Sequence, residues 1–553
     1  MPLPKVDPEF QVIFEASLQP SQQNEIHISA YATPKRFRLV QCAPLISKTD
    51  PILRIVEFNE FDPSRFDKIK YGAISYIWQG NPPDLSWNLS HTASIVVEGA
   101  RDGDPINIEV LRHACIANTI KGHDTYIWID RLCIMQTDDD DKSWQIQMMF
   151  DIYRASTSTL VLPGGLTRLV RLDEETDWIL RAWTLQEVIV REAQMLFSME
   201  GMTIPSDSTL GGLVPNDQDR SHRSCTVHYV VHGISAKVNL KELLKTIRAS
   251  SGDTKFVFLP NKKNSVMVEA RIFGSYVRRM REIVALADAT ETVWGANNWS
   301  RRALWQSSFF RTSKRPVDMV LSIMGLFGIK LDPQKFKSTN RISATIALAQ
   351  EYLRTGNSAE WIIAGWNEPP DQRLSSFPEL PDTSVATPPQ FLTEKRDIWE
   401  DTERDSLDIR LRFARQAPGG SMDDEGYFYF TAKAARVVKL GDSSLTLNSR
   451  EKPLQTIQAL DDSLWALKSN GHSTDPNNIH ENATLYASVL GIANVRGAVK
   501  RARAVLLKQH AKDRFHRLAV FFELDVNVIE NWRKMDLNMG PVKSSSSKTE
   551  GLT

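Results

Sequence analysis

The run from Tyr126 to Ile189 restricts this chain to a layered α/β fold. Tyr126-Ile127-Trp128-Ile129 is wholly apolar and stops on Asp130, as a strand covered on both faces does. A polar loop, Arg131 to Gln136, and four consecutive acids, Asp138 to Asp141, follow. Apolar residues then fall at Trp144, Met148, Met149, Ile152 and Tyr153, spacings that line one face of a helix over Lys142 to Ala155. Ser158 to Leu162 predicts a second strand, stopped by Pro163-Gly164-Gly165. Strands joined by a crossover helix run parallel. In an open parallel sheet the functional crevice lies outside the carboxyl ends of the strands. Asp130, Arg131 and Cys133 fall there. The next helix contains Arg181 through Glu187.

The flanking sequence extends this pattern. Arg36 to Val40, Ile52 to Phe58 and Ser94 to Glu98 predict short strands, and Tyr71 to Trp78 a strongly apolar one ending at Gln79-Gly80. Ile106 to Ile120 suits a helix closed by Gly122, and Gln194 to Ser198 is a further strand. Alternating elements of this kind predict a mostly parallel sheet with flanking helices. The chain divides into an N-terminal lead-in (1–66) that is loosely ordered to about residue 34, an α/β domain (67–200), a helical domain (225–365), a linker or long loop (366–395), a smaller α+β C-terminal region (396–535) and a disordered tail (541–553). Within the last region Gly426 to Thr431, Ala435 to Leu440 and Leu445 to Leu447 read as strands, and Val495 to Gln509 as a basic helix.

Composition narrows the function classes. Lys plus Arg number 67, as do Asp plus Glu, so the net charge is zero and the basic excess of a nucleic-acid binder is missing. Four cysteines, at 42, 115, 133 and 225, show neither close pairing nor metal-ligand spacing. A reduced, cytoplasmic setting is expected. No apolar run approaches the ~20 residues that span a bilayer, and the first residues lack an apolar signal core. No resident cofactor or metal is predicted.

Three patches are candidates for chemistry. Ser75 to Gly80 is either a strand-end loop whose glycine lets backbone approach a ligand, or a buried strand with a turn. At Asp130-Arg131-Leu132-Cys133 the carboxylate suits a sugar hydroxyl, a metal or a neighbouring cation, or simply caps its loop. Cys133 as a nucleophile needs a base and a lowered pKa; a core thiol needs neither. The acids Asp138 to Asp141 suit Mg²⁺, but better suit the positive N-terminal end of a helix. In the third patch, Trp183 and Glu187 are four apart and share a helical face. They form a half-apolar wall with one carboxyl, fit for a sugar ring, whose apolar side raises that carboxyl's pKa. The alternative places Trp183 in the core, with Arg181 or Arg191 neutralising Glu187.

Taken together, these patches resemble the fungal heterokaryon-incompatibility (HET) domain. Its Tyr-x-x-Leu-Ser-Tyr-x-Trp-Gly block is matched by Tyr71 to Gly80, with Ile74 for Leu and Gln79 inserted before Gly80. Its Trp-Ile-Asp-x-x-Cys-Ile-Asn-Gln block and the Met-x-x-Ile-Tyr that follows are matched by Trp128 to Tyr153, with Met135 for Asn. Arg181 to Glu187 matches Arg-x-Trp-x-x-Gln-Glu, and Lys314 to Gly328 resembles a segment found downstream in such proteins. The resemblance implies self/non-self recognition and a cell-death response to a protein trigger. More distantly the family is similar to Toll/interleukin-1-receptor (TIR) domains, which implies a flavodoxin-like sheet. Some TIR domains cleave NAD on self-association through a glutamate four residues after a Trp. That similarity implies NAD as a substrate and Glu187 as the catalytic carboxylate. Trp183, Asp130, Arg131, Cys133, Ser75, Trp78 and Gly80 would then form the substrate pocket. The alternative is a non-catalytic interaction module using the same surfaces.

Overall fold

The computed structural model describes residues 10–18, 23–47, 50–59, 69–82, 93–120, 123, 125–200, 209–212, 224–249, 255–259, 266–292, 298–379, 417–440, 455–467, 484–495 and 499–542. The chain divides into two compact units interleaved in sequence: residues 1–294 with 311–337 and 384–386, and residues 295–310 with 338–383 and 387–553. The expected linker beyond Glu379, the strand at Leu445 to Leu447 and the tail from Lys543 lie outside the described residues.

The first unit is built on a mixed sheet of strands β1 (Phe10–Ser17), β3 (Phe37–Gln41), β4 (Ile52–Phe58), β5 (Lys70–Tyr76), β8 (Thr125–Trp128), β9 (Ser158–Leu162), β10 (Ala193–Ser198), β11 (Thr209–Gly212), β12 (Ser224–Val231), β13 (Ser235–Asn239), β14 (Lys255–Leu259) and β15 (Val266–Glu269). A small separate sheet holds β2 (Gln23–Ile26), β6 (Ser94–Val97) and β7 (Ile106–Asn107). In the large sheet the order is β1-β4-β3-β8-β5-β9-β10-β13-β12-β11-β14-β15. The parallel contacts are β8–β5, β5–β9 and β9–β10. The wings beyond β8 and β10 are antiparallel. The expected parallel sheet is therefore the central block, and antiparallel hairpins extend it on both sides.

Helices α1 (Cys42–Ile46), α2 (Ile108–Asn118), α3 (Asp130–Cys133), α4 (Asp139–Ala155) and α5 (Thr184–Ile189) connect and cover this block. Period-two alternation along β5 sends neighbouring side chains to opposite faces. Gly72 faces α2, where an added Cβ would lie 2.0 Å from the Asn118 side chain. Tyr71 faces α4 and donates to the Ile152 carbonyl at 2.5 Å. The acidic run starts a helix, as expected: Asp138 caps α4 by accepting from the Asp141 amide at 2.7 Å. Asp141 itself is fully buried.

Asp141 is buried because Arg38 is buried beside it. The Arg38 guanidinium meets Glu57 at 2.9 Å and Asp141 at 3.0 Å, and donates to the Cys133 carbonyl at 3.0 Å. Asp141 also accepts from the Met135 and Lys35 amides. One cation thus ties β3 and β4 to the loop that follows β8.

In the second unit, β16 (Gly420–Met422), β17 (Phe428–Lys439), β18 (Thr456–Gln458), β19 (Leu464–Leu467), β20 (Leu485–Val495), β21 (Val499–Ala511), β22 (Arg514–Asp525) and β23 (Arg533–Met539) form one sheet. Its strands β17-β20-β21-β22-β23 close into a ring, because β23 pairs with both β22 and β17. The basic segment read as a helix over Val495 to Gln509 is strand in its described part: Val495 ends β20 and β21 begins at Val499. Ala502, Ala504 and Leu506 point into the core from alternate positions. Helices α8 (Asn298–Phe309), α10 (Arg341–Arg354) and α11 (Glu360–Ala364) meet around Trp305, Tyr352, Trp361 and Phe377. The stretch read as helical from residue 225 holds strands before its first long helices, α6 (Leu240–Ala249) and α7 (Tyr276–Thr292).

Arg38→Met leaves the Glu57 and Asp141 carboxylates buried without their cation. Removing one partner of a buried pair costs about 3–5 kcal/mol, so the urea midpoint of the full chain falls sharply. Asp140→Asn, at the exposed Lys35–Asp140 contact, leaves the midpoint unchanged.

Candidate active site

The carboxyl ends of β5 and β8 open into a cavity of about 620 Å³, and both Asp130 and Glu187 line it. Asp130 follows β8 after one residue, Ile129, and begins the short helix α3. Its Oδ1 accepts from the Tyr76 hydroxyl at 2.5 Å and the Arg131 amide at 2.7 Å, and its Oδ2 from Trp78 Nε1 at 3.3 Å. Burial pushes its pKa up despite these bonds and the nearby Arg131 charge.

Glu187 sits on α5, and its environment is poorer in partners. Its Oε2 is buried without a hydrogen-bond partner among the described residues. Burial drives its pKa up to about 8, and Asp130 pushes the same way. A hydrogen bond from Ser75 and the charges of Arg311 and Arg181 oppose the shift without cancelling it. Ser75 is suited to that bond, because its Oγ already accepts from Trp178 Nε1 at 2.9 Å and keeps its own proton to give.

Trp183 precedes α5 in a helical conformation and lines the same cavity, so the one-turn spacing to Glu187 survives. The helix itself begins only at Thr184; Arg181 lies before it, bridged to Thr312. Neither arginine weighed as a partner is ion-paired with Glu187: Arg191 donates to the Arg154 carbonyl, and Arg181 lines the cavity. Trp183 is half-buried: it packs against the edge of the core and donates from Nε1 to Asp318 at 3.2 Å.

Of the residues expected in the pocket, Trp78, Asp130, Trp183 and Glu187 line it, and Ser75 stands behind Glu187. Gly80, Arg131 and Cys133 do not line it. Gly80 is needed for backbone packing, since a Cβ there would sit 2.0 Å from the Gly164 carbonyl, and its amide donates to Asp104 at 2.7 Å. Arg131 is buried, donates to the Asp104 and Ala100 carbonyls and lies over the Trp78 ring. It fixes the turn that holds the 78–80 loop. Cys133 is buried and its thiol is pushed up to about 12 by burial, so it is a core thiol and not a nucleophile at neutral pH.

Sequence reasoning held Tyr76 within the Ser75 to Gly80 patch and noted the family-like Lys314 to Gly328 stretch, but assigned a site role to neither, and it passed over Arg311 to Ser313. Arg311 is buried and donates to the Arg181 carbonyl at 2.8 Å and to Thr184 Oγ1 at 2.7 Å, bracing the start of α5. Burial lowers its pKa to about 9, although Glu187 and Glu282 favour its charge. Ser313, Lys314, Arg315 and Asp318 complete the cavity wall. More than a hundred residues separate them from Glu187, and no local spacing announces that contact.

Residues 71–174 match the family model described as heterokaryon incompatibility protein (HET). This chain carries a HET domain. A role of the heterokaryon-incompatibility type follows from that match. Asp130 falls inside the matched stretch, while Trp183, Glu187 and the 311–318 segment lie beyond it. No curated protein and no solved structure matches the chain. Among the described residues, no helix is long and apolar enough to cross a membrane, and no group of three metal-ligating side chains occurs.

Two outcomes test the site. Glu187 has a folded pKa near 8 against an ordinary value of 4.5, so the native state holds a proton that the unfolded chain releases. Its contribution is fully present below pH 4.5 and is lost as pH rises through 8. Glu187→Gln therefore melts near wild type at pH 4.5 and increasingly above it from pH 5 to 8.5. Cys133 resists iodoacetamide in the native protein at pH 8 and reacts only after denaturation, as peptide mass mapping would show.

Proposed function

We propose that the HET domain hydrolyses the nicotinamide–ribose bond of NAD, with Glu187 as the catalytic carboxylate. The observation that carries this reading is the buried, partnerless Oε2 of Glu187 facing a cavity it shares with Asp130. Strand order adds support. Taken in chain order, the parallel strands β5, β8, β9 and β10 lie 2-1-3-4, the start of the flavodoxin order that TIR similarity implies. The volume of about 620 Å³ suits a nucleotide-sized ligand.

The chemistry follows from the geometry. As the C1′–N bond breaks, its electron pair stays on the nicotinamide nitrogen, which becomes neutral and needs no added proton. The ribose left behind carries oxocarbenium character. The Glu187 carboxylate stabilises that charge and accepts the 2′ and 3′ hydroxyl protons in hydrogen bonds. Water adds at C1′ and its proton passes to Glu187. A cationic nicotinamide ring beside Glu187 favours the ionised carboxylate as substrate binds. Asp130, with both oxygens already engaged, orients the mouth through Tyr76 and Trp78. Activity depends on self-association, which concentrates the assembled form and couples turnover to an incompatibility signal.

Purified full-length protein at high concentration, incubated with NAD, is expected to release nicotinamide. Glu187→Gln lowers the rate by about 10²–10³-fold, the scale for loss of one transition-state stabiliser. Because kcat/KM reports the free enzyme, it rises with pH up to about 8, where Glu187 ionises. Absence of release under these conditions leaves the domain as a non-catalytic interaction module; full release by the variant removes Glu187 from the catalytic role.

A further inference from the structure

Charges of both signs line the cavity. The carboxyls of Glu187 and Asp318 are buried, while Lys314 and Arg315 are exposed along the same wall. Two exposed carboxylates, Asp102 and Asp177, also line it, and Asp177 is paired with Arg279 at 3.0 Å. The other lining cations are occupied or withdrawn: Lys142 lies 3.8 Å from Asp139, and Arg181 is half-buried, and that burial lowers its pKa. Lys314 Nζ donates to the neutral Gln79 Oε1 at 3.0 Å and forms no ion pair among the described residues. That contact ties the cation to the loop following β5. Arg315 draws the Asp318 carboxyl downward, yet burial keeps that carboxyl raised.

We infer that Lys314 and Arg315 form an anion subsite that takes the diphosphate of a nucleotide bound in this cavity. The inference rests on the reading of the cavity as a dinucleotide site. In such a ligand the diphosphate hangs on the 5′ carbon of the ribose that sits at Glu187. Only a few bonds separate the scissile carbon from two negative charges, and those charges must lie toward the mouth. An arginine fork grips phosphate oxygens in pairs, and a neighbouring lysine adds a point charge. The 311–318 segment therefore does more than close a wall. It brings substrate-recognising charge from outside the matched HET residues, so a fragment ending near residue 200 lacks part of its site.

The test separates this subsite from the catalytic proposal by using ligands that are not cleaved. Binding of ADP and of adenosine to the full chain is measured by calorimetry for wild type, Lys314→Gln/Arg315→Gln and Glu187→Gln. Both cations are exposed, so the double variant is expected to melt with wild type. Wild type should prefer ADP over adenosine by about tenfold or more, a difference of roughly 1.4 kcal/mol that shrinks as salt is added. The double variant should bind ADP no better than adenosine, while Glu187→Gln keeps the preference. With NAD, the double variant should raise KM and leave kcat near wild type. A wild type without the ADP preference, or a double variant that retains it, overturns the subsite even if nicotinamide is released. A cation-dependent preference without nicotinamide release sustains the subsite and removes the hydrolase reading instead.

Discussion

The Arg38 guanidinium, sealed between two carboxylates, is the contact on which the site's geometry depends. A buried cation is tolerated only where its charge and its donors are met. Here Glu57 from β4, Asp141 from α4 and the Cys133 carbonyl meet them. The same Asp141 receives the Met135 amide. The loop from Asp130 to Asp138 is therefore pinned at both ends of its descent into α4. Asp130 stands where it does because the charge network below it allows little other choice.

Two carboxyls share the cavity but differ in what surrounds them. Asp130 has a hydroxyl, an indole and an amide on its oxygens; Glu187 has an oxygen with none. Both are raised by burial, and Asp130 makes Glu187 harder still to ionise. A carboxyl already supplied with donors has little lone-pair capacity left for a ligand. One that is buried and unsupplied is unstable alone and gains most when a ligand brings hydroxyls or positive charge. That asymmetry assigns the orienting role to Asp130 and the reacting role to Glu187 within the proposed mechanism.

The elements legible in the sequence were those with local causes. Continuous apolar runs gave β5 and β8, the acidic start and 3.6-residue periodicity gave α4, and Pro163-Gly164-Gly165 ended β9. The misreading of β21 has a physical cause. Ala502, Ala504 and the interspersed Lys and Arg are good helix formers, yet β20 and β22 pair with the segment on both sides. Long-range pairing overrides local preference in such strands. The alternation of arginine with alanine over Arg501 to Ala504 is the period-two signal that a helical reading passes over. In the site, the Trp183–Glu187 spacing was visible because one helical turn is local. The demotion of Gly80 and Arg131 from ligand contacts to supports was not, since it depends on the turn at Ala100–Asp104 and the loop at Gly164.

By itself the sequence determined a central parallel block, the carboxylates that terminate or flank it, and the HET character of residues 71–174. These are consequences of short-range pattern, which covalent spacing preserves in any folded context. Only the tertiary structure decided that Asp130 and Glu187 face one opening, that Arg38 underlies the first of them, and that residues 311–318 form part of the wall. Those relations join positions far apart in the chain. They arise because burying charge requires partners, and the chain finds those partners wherever packing brings them, not where the sequence is near.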